Sequence, residues 1–343
     1  MTTRIDRFRR LLIRRVATAA VSLSLAAVAV TPAIGVSAVS AQSSINCAES
    51  VTTTPTGPAT VSATSSPYGR VLVIGAGAYA GCSLYTLTSD ALHALNGSPY
   101  ACSDNANPLG APCDTVLWPA VLTDGAPIAG HGVNRTLLGT VTRTDIAGLP
   151  AVKQVTYAGL PLYRFLFDEV PGETEGANLF DPVTSPTGTW YLVNPSRGRV
   201  APGRARLELE TAPLNGTGPD ETVLAARMNN DFSVFANASF PVYTSSKDRH
   251  AEHPGSACQG ACAAVYWPPV LTSGRPEVGP GVDEDAVGII VRPDGTHQVT
   301  YHGKPLYLFF GDAYIGGIVG TQGINGAEKH TPFGVFNTIP RTP

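Results

Sequence analysis

The chain has 343 residues, enough for two ordinary domains, and only 14% of them are charged. Its 36 glycines and 29 prolines disfavour long helices and suit short strands joined by turns. The 23 Lys and Arg residues are outnumbered by 26 Asp and Glu residues. No basic cluster follows the N-terminal leader, so nucleic acid is not an expected partner.

Residues 1–41 have the pattern of a secretory signal peptide. Six arginines precede an apolar stretch over residues 16–36, and Val39-Ser40-Ala41 then offers the small residues that a signal peptidase reads. Cleavage before Gln42 would remove those arginines and one aspartate, which leaves a net charge of −8. No later segment has the roughly 18 uninterrupted apolar residues of a membrane span. We therefore expect a secreted protein without a membrane span after signal removal.

The expected mature chain divides into four segments by composition. Residues 42–68 are rich in Ser, Thr and Pro and predict an extended, flexible lead-in. Residues 195–222 are rich in Pro, Gly and Arg and predict a linker with one strand. Between and after them lie two units, at residues 69–194 and 223–343.

The two units repeat the same sequence features in the same order. Residues 154–163 (QVTYAGLPLY) and 298–307 (QVTYHGKPLY) share eight of ten positions. A Trp-Pro segment precedes each, at residues 118–123 and 267–272. Each unit also carries two Tyr-x4-Asp motifs, which are Tyr85/Asp90 and Tyr163/Asp168, then Tyr243/Asp248 and Tyr307/Asp312. A repeat of this kind indicates a duplicated structural unit.

The six cysteines of an exported chain predict three disulfides. Cys102 with Cys113 and Cys258 with Cys262 are paired because each couple occupies the same place in its unit. Cys47 with Cys82 follows by elimination. A zinc site is the rival interpretation, but it requires local spacings such as Cys-x2-Cys that the chain lacks.

The doubled unit resembles a secreted repeat family of unknown function, often described as predicted lipoproteins with a Tyr-x-(Phe/Trp/Tyr)-x-x-Asp motif. The resemblance extends over about residues 69–194 and 223–340. It rests on the four Tyr motifs, the Cys-Gln-Gly-Ala-Cys and Trp-Pro-Pro segments, and the QVTYxGxPLY segments. Ser44-Ile45-Asn46-Cys47 is not a lipobox, so this chain is expected not to be lipid-anchored. The resemblance implies no activity.

An all-β fold is predicted from residues 287–310, which have the pattern of a three-stranded meander. A β-branched run, an Asp-Gly turn, a strand ending at Tyr301 and a second glycine-containing turn follow one another. Tyr307 and Phe309 would share one face of the third strand and enter the core. Asp312 would fix the turn beyond it. Two such antiparallel sheet units could pack as a sandwich or as propeller blades.

The Tyr-x4-Asp residues therefore have two interpretations: aromatic anchors with turn-fixing carboxylates, or four pairs that line a shared ligand site. A metal site is a separate hypothesis, because His250 and His253 are three residues apart and Asp248 is close by. No Gly-x-Ser-x-Gly motif is present, and no cysteine is left over as a nucleophile. No catalytic residue and no cofactor is predicted.

The sequence favours a non-enzymatic binding or structural module of the extracellular space or cell envelope, with an unknown ligand there as its partner. A metal-binding or redox-linked envelope protein is the first alternative. A hydrolase of cell-surface polymers is the second.

Overall fold

The computed structural model describes residues 45–51, 53–103, 112–181, 188–196, 198, 204–214, 218–227, 239–248, 255–309, 312, 326 and 329–340. The expected signal peptide and the two candidate metal ligands, His250 and His253, lie outside these residues. Within them the chain is mostly short strands in several antiparallel sheets, with few helices and three disulfides. The all-β prediction is confirmed. No helix of this part of the chain is long and apolar enough to cross a membrane.

The described residues of the N-terminal half form ten strands. They are β1 (Thr60–Ser66), β2 (Gly69–Ile74), β3 (Tyr85–Leu87), β4 (Leu122–Thr123), β5 (Ile128–Ala129), β6 (Leu138–Arg143), β7 (Val152–Tyr157), β8 (Leu160–Pro161), β9 (Phe180–Asp181) and β10 (Gly188–Leu192). They form three sheets, in the orders β2-β1-β5, β3-β10-β9 and β4-β7-β6, with β8 also on β7. The helical turns are α1 (Ala91–Asn96), two 3-10 turns (Thr88–Asp90 and Arg135–Leu137) and one π-helical turn (Cys113–Leu117).

The C-terminal half is built in the same way. Its strands are β11 (Arg206–Pro213), β12 (Asp220–Arg227), β13 (Ser239–Pro241), β14 (Tyr243–Ser245), β15 (Glu277–Val278), β16 (Val287–Val291), β17 (His297–Tyr301), β18 (Lys304–Pro305), β19 (Lys329–Thr331) and β20 (Gly334–Thr338). Their sheets have the orders β13-β12-β11-β15, β14-β20-β19 and β16-β17-β18. Its described residues also form a 3-10 turn (Glu284–Ala286) and a π-helical turn (Cys262–Tyr266).

Strand pairings match between the halves. The parallel contact of β1 with β5 has its counterpart in β11 with β15, and the hairpin β1-β2 corresponds to β11-β12. Within the described residues, each sheet takes its strands from one half. We refer to residues 45–196 as the first unit and to residues 204–340 as the second unit.

Strands β1 and β11 lie in the segments expected from composition to be a lead-in and a linker. The lead-in over 42–68 was expected to be flexible, but β1 lies within it and pairs with β2 over six residues. The linker over 195–222 contributes β11, which pairs with β12 over eight residues. Val61 and Leu207 are fully buried in these strands, so a few alternating apolar residues outweigh the polar composition around them.

The predicted meander is present in the second unit, with a matching one in the first. Strand β17 pairs with β16 and β18, and β7 pairs with β6 and β8. The third strand differs from the prediction, which placed it over residues 306–310. Tyr307 in that stretch forms isolated bridges with Tyr243 and Pro269, whereas the strand that pairs with β17 is β18, Lys304–Pro305. The tight turn before it places His302 at φ 47° and Gly303 at φ 73°, and Ala158 and Gly159 do the same in the first unit. Positive φ at both central residues is typical of a type I′ hairpin turn.

Candidate functional site

The four Tyr-x4-Asp motifs are cross-paired inside each unit. Each tyrosine hydroxyl donates to the aspartate of the other motif, not to the aspartate five residues further along its own motif. In the first unit Tyr85 Oη donates to Asp168 Oδ2 at 2.7 Å, and Tyr163 Oη donates to Asp90 Oδ2 at 2.7 Å. The second unit repeats this pattern, with Tyr243 Oη to Asp312 Oδ2 at 2.7 Å and Tyr307 Oη to Asp248 Oδ1 at 2.9 Å.

Backbone pairing brings the two tyrosines of each unit together. Tyr85 and Tyr163 exchange N–H···O=C bonds of 2.9 and 3.0 Å, and Tyr243 and Tyr307 exchange two of 2.9 Å. These reciprocal bonds place the two motifs antiparallel and side by side. Each tyrosine therefore reaches past its own motif to the aspartate that follows its neighbour.

All four tyrosines are fully buried, and the four aspartates are buried with them. Each of three aspartates also accepts a backbone N–H from a loop: Asp90 from Ala101 at 2.8 Å, Asp168 from Glu175 at 2.8 Å and Asp248 from Ala257 at 2.7 Å. The carboxylates thus hold loops that lie 7 to 11 residues away in sequence. Each of these three aspartates therefore fixes a loop more distant than the turn that directly follows its own motif.

Burial shifts the protonation of both partners. It raises the pKa of Asp90 to about 6, although the Tyr163 hydroxyl and the Arg143 charge oppose that shift. Burial also raises the pKa of Asp168 and of Asp248. The pKa of Tyr85 and of Tyr163 lies well above the ordinary value for the same reason, so both hydroxyls remain donors at neutral pH.

Each pair of motifs is joined by a buried arginine and a buried glutamine. Arg143 Nη1 donates to Gln154 Oε1 at 2.6 Å, and Arg292 Nη1 donates to Gln298 Oε1 at 2.6 Å. The glutamine amides donate onward to the carbonyls of Leu162 and Leu306. Both arginines also donate from Nη2 to a cysteine carbonyl of their own unit, at 2.9 and 3.1 Å.

The networks differ in the side chains that contact the arginine. Arg143 forms ion pairs with Asp114 at 3.1 Å and with Asp145 at 2.6 Å. Arg292 donates to Ser256 Oγ at 2.8 Å, and that oxygen lies 2.7 Å from Tyr307 Oη. These contacts give both arginines polar partners within the core, where an unpaired polar group would be costly.

An aromatic stack packs against each tyrosine pair. Trp118 stacks on Trp190 with centroids 3.7 Å apart, and Trp267 stacks on Phe336 at the same distance. Glycine provides the space beside the rings: a Cβ on Gly176 would lie 2.7 Å from Trp118, and one on Gly326 would lie 2.7 Å from Tyr243. The motif residues and the aromatic stack thus form one core in each unit.

The disulfides are Cys47–Cys82, Cys102–Cys113 and Cys258–Cys262, which are the predicted pairs. Cys113 and Cys262 each begin a π-helical turn that leads to the tryptophan of the stack. Cys47–Cys82 ties the segment before β1 to the rest of the first unit.

A cleft of about 580 Å³ lies between that segment and the rest of the first unit. Glu49, Thr53 and Thr56 are among the residues on one side, and Tyr79, Ala120 and Arg164 are among those on the other. The residue after Tyr163 is Arg164, whereas Leu308 follows Tyr307 in the second unit. The cleft therefore contains a cation at a position where the second unit has a buried apolar side chain.

The sequence interpretation missed Arg143, Arg292 and Arg164. Gln154 and Gln298 stand in the repeated segment and were the available signal for the first two. The spacing hid their partners, because Arg143 precedes its glutamine by 11 residues and Arg292 precedes its own by 6. Among the described residues, no group of three or more His, Cys, Asp or Glu side chains could hold a metal ion.

Comparison with known proteins identifies one matching region. A family model described as a secreted repeat of unknown function matches residues 288–326. This range covers most of the meander of the second unit and the motif Tyr307/Asp312. No curated protein and no solved structure matches the chain.

Proposed function

We propose that the chain is an exported, non-enzymatic binding or structural module of the extracellular space or cell envelope. The observation that carries this proposal is the cross-pairing of the motifs. The polar groups that distinguish the repeat are buried in the two cores, where they hydrogen-bond one another. They stabilise a scaffold, so a ligand would meet the surfaces that the scaffold supports.

Burial argues against a catalytic role for these tyrosines and aspartates. A general acid or base must come within about 3 Å of its substrate. Tyr85, Tyr163, Tyr243 and Tyr307 have no solvent-exposed surface. Reaching them would require opening the aromatic stack that covers them. This favours binding or structural support over polymer hydrolysis.

We further propose that residues 1–41 direct export, that the mature chain is not lipid-anchored, and that the two units are tandem copies of one repeat. The repeat copies would correspond to residues 69–194 and 223–343, each extended by the strand before it. The matching strand pairings support duplication. Two linked units can bind a repetitive polymer with avidity, because the second contact is intramolecular.

Binding of the intact mature chain, from Gln42 onward, to isolated envelope and extracellular polymer fractions tests the proposal. We expect saturable co-sedimentation that is lost when the three disulfides are reduced and the chain is unfolded. We also expect no turnover of a panel of polysaccharides and esters. Turnover that follows the purified chain and saturates with substrate would overturn the non-enzymatic proposal.

Metal analysis of the same purified chain distinguishes the binding-module proposal from the metal-binding alternative. We expect no stoichiometric transition metal. One metal ion per chain that is lost in a double variant, His250→Ala with His253→Ala, would replace the binding-module proposal. Asp248→Asn is not a suitable variant for this test, because Asp248 accepts from Tyr307 in the core.

A further inference from the structure

The cleft of the first unit is the strongest candidate for a binding site, and the inference from it rests on the proposed function. Its volume of about 580 Å³ lies within the range of roughly 300–1,000 Å³ typical of sites for small organic ligands. Hydroxyl-bearing residues line it, among them Ser50, Thr53, Thr54 and Thr56. The cleft therefore offers hydrogen-bonding groups along one wall and a charged group on the other.

Arg164 is the charged group. Its side chain is 2% exposed, and its guanidinium lies 3.7 Å from the centre of the Tyr79 ring. Nη1 donates to the carbonyl of Cys47 at 2.5 Å, and Nη2 donates to the carbonyl of Glu49 at 2.7 Å. A guanidinium has five N–H donors, so two neutral carbonyls do not use its full hydrogen-bonding capacity.

The charge of Arg164 is balanced only in part. Burial lowers the pKa of Arg164 to about 10, while Tyr79 and Glu49 oppose that shift. The Glu49 carboxylate is exposed and accepts from Tyr79 Oη at 3.2 Å. Within the described residues, no carboxylate forms an ion pair with Arg164. A buried cation without an ion pair is costly, and an incoming anion would reduce that cost.

The second unit shows that the fold does not require a cation here. Arg164 and Leu308 occupy matching places. The backbone N–H of Arg164 donates to the carbonyl of Pro119 at 2.9 Å, and that of Leu308 donates to the carbonyl of Pro268 at 2.8 Å. Leu308 is 1% exposed, so an apolar side chain satisfies this position. Arg164 is therefore not needed for the repeat fold at this position, and it lines the cleft of the first unit.

We propose that this cleft binds a hydroxylated carboxylic acid of the sugar-acid class, with the carboxylate directed at Arg164 and the hydroxyls at the threonine-lined wall. Arginine suits a carboxylate because its planar fork donates two parallel hydrogen bonds. Glu49 accepts from ligand hydroxyls at the rim. The ligand can be a free sugar acid or a sugar-acid unit within a polymer, since both present the same groups.

Calorimetric titration of the intact mature chain with glucuronate, glucose and a glucuronate-containing oligosaccharide tests this proposal. We expect glucuronate to bind at least about tenfold tighter than neutral glucose, which corresponds to one charge-assisted hydrogen bond. Tighter binding of the oligosaccharide than of the monosaccharide would identify the polymer as the source. Equal affinity for glucose and glucuronate, or no binding of any of the three, would overturn the proposal.

Three variants locate the site. Arg164→Leu, which copies the second unit, should lower glucuronate affinity at least about tenfold. Glu49→Gln should raise glucuronate affinity, because the change removes a negative charge that repels the ligand carboxylate. The glutamine keeps an oxygen that can accept from ligand hydroxyls. Arg135→Leu is the matched control, since it removes an exposed arginine of the same unit and should leave affinity unchanged. Because Arg164 also contacts the segment before β1, the Glu49→Gln result decides the matter if Arg164→Leu unfolds.

The two proposals fail in different ways. If the chain binds envelope material but neither sugar acid, the cleft assignment is wrong and the binding module stands. If it binds neither envelope material nor any sugar, both are wrong.

Discussion

Tyr85 donates a 2.7 Å hydrogen bond to Asp168, a residue 83 positions away, while the aspartate of its own motif accepts from Tyr163. The two motifs of a unit are therefore halves of one structure. This explains why the repeat contains the motif twice: one motif alone would bury an unpaired hydroxyl and an unpaired carboxylate, which costs free energy.

A double-mutant cycle measures this cross-pairing. Tyr85→Phe leaves the buried Asp168 carboxylate without one donor and should lower the free energy of unfolding by about 1–3 kcal/mol. The effects of Tyr85→Phe and Asp168→Asn on the free energy of unfolding should be non-additive, with a coupling energy of about 1 kcal/mol or more. Urea denaturation of the four proteins gives the coupling.

The matched cycle pairs Tyr85→Phe with Asp90→Asn, the aspartate of the same motif. We expect a coupling below about 0.5 kcal/mol, since these two side chains do not hydrogen-bond each other. Stronger coupling within the motif than across motifs would contradict the observed geometry.

Part of this arrangement was predictable from sequence. The QVTY strand and the glycine turn after it follow from local patterns, which predict β16 and β17 but place the third strand after β18. The cross-pairing was not predictable, because it depends on Tyr85 and Tyr163 lying side by side through backbone bonds between segments 78 residues apart. Local periodicity carries no information about such pairs.

The two arginine networks show the same limit. Their glutamines were visible in the repeat, but the loop between arginine and glutamine differs by five residues between the units. The partner became clear only from the sheet geometry, in which Arg143 ends β6 and Gln154 lies in β7. A sequence can show that a buried polar residue is repeated without showing what satisfies it.

Stability should rise as the pH is lowered from about 7.5 to about 5. Asp90 has a pKa of about 6 in the folded chain, above its ordinary value of 3.8. An acid with a raised pKa binds a proton more readily when folded, so between about pH 6 and pH 4 protonation favours the folded state. Burial also raises the pKa values of Asp168 and Asp248, so their protonation favours the folded state in the same direction.

Urea midpoints across this pH range give the measurement. Asp90→Asn should have a flatter dependence than the unmodified chain, because the raised pKa of Asp90 is removed while histidines and exposed carboxylates are unchanged. A stability that falls from pH 7.5 to pH 5, or an unaltered slope in the variant, would show that Asp90 is not the protonated group.

The disulfides should differ in their contribution to stability. Cys47–Cys82 closes a loop with a sequence separation of 35, whereas Cys258–Cys262 spans 4. In the chain-entropy account the longer loop contributes about 2 kcal/mol more. Thermal unfolding of the variant Cys47→Ala with Cys82→Ala should therefore show a larger loss of stability than the variant Cys258→Ala with Cys262→Ala.

Peptide mapping under non-reducing conditions should recover the three pairs, and a bond between the units would contradict the structure.

Gly176 provides the sharpest test of the aromatic core. A Cβ at this position would lie 2.7 Å from the ring of Trp118 and 3.0 Å from that of Phe165. Because Trp118 is also stacked on Trp190, neither ring can move away without losing contacts. Gly176→Ala should therefore destabilise the chain by about 1–3 kcal/mol, the usual effect of overpacking.

Gly57→Ala is the matched control, since its Cβ would meet no atom within 4 Å, and its effect should stay within about 0.5 kcal/mol. Chemical denaturation of both variants, followed by tryptophan fluorescence, reports the loss and the disturbed stacking together. Equal stability of the two variants would mean that the Trp118 stack tolerates an added methyl group and that the first unit is packed less tightly than its geometry indicates.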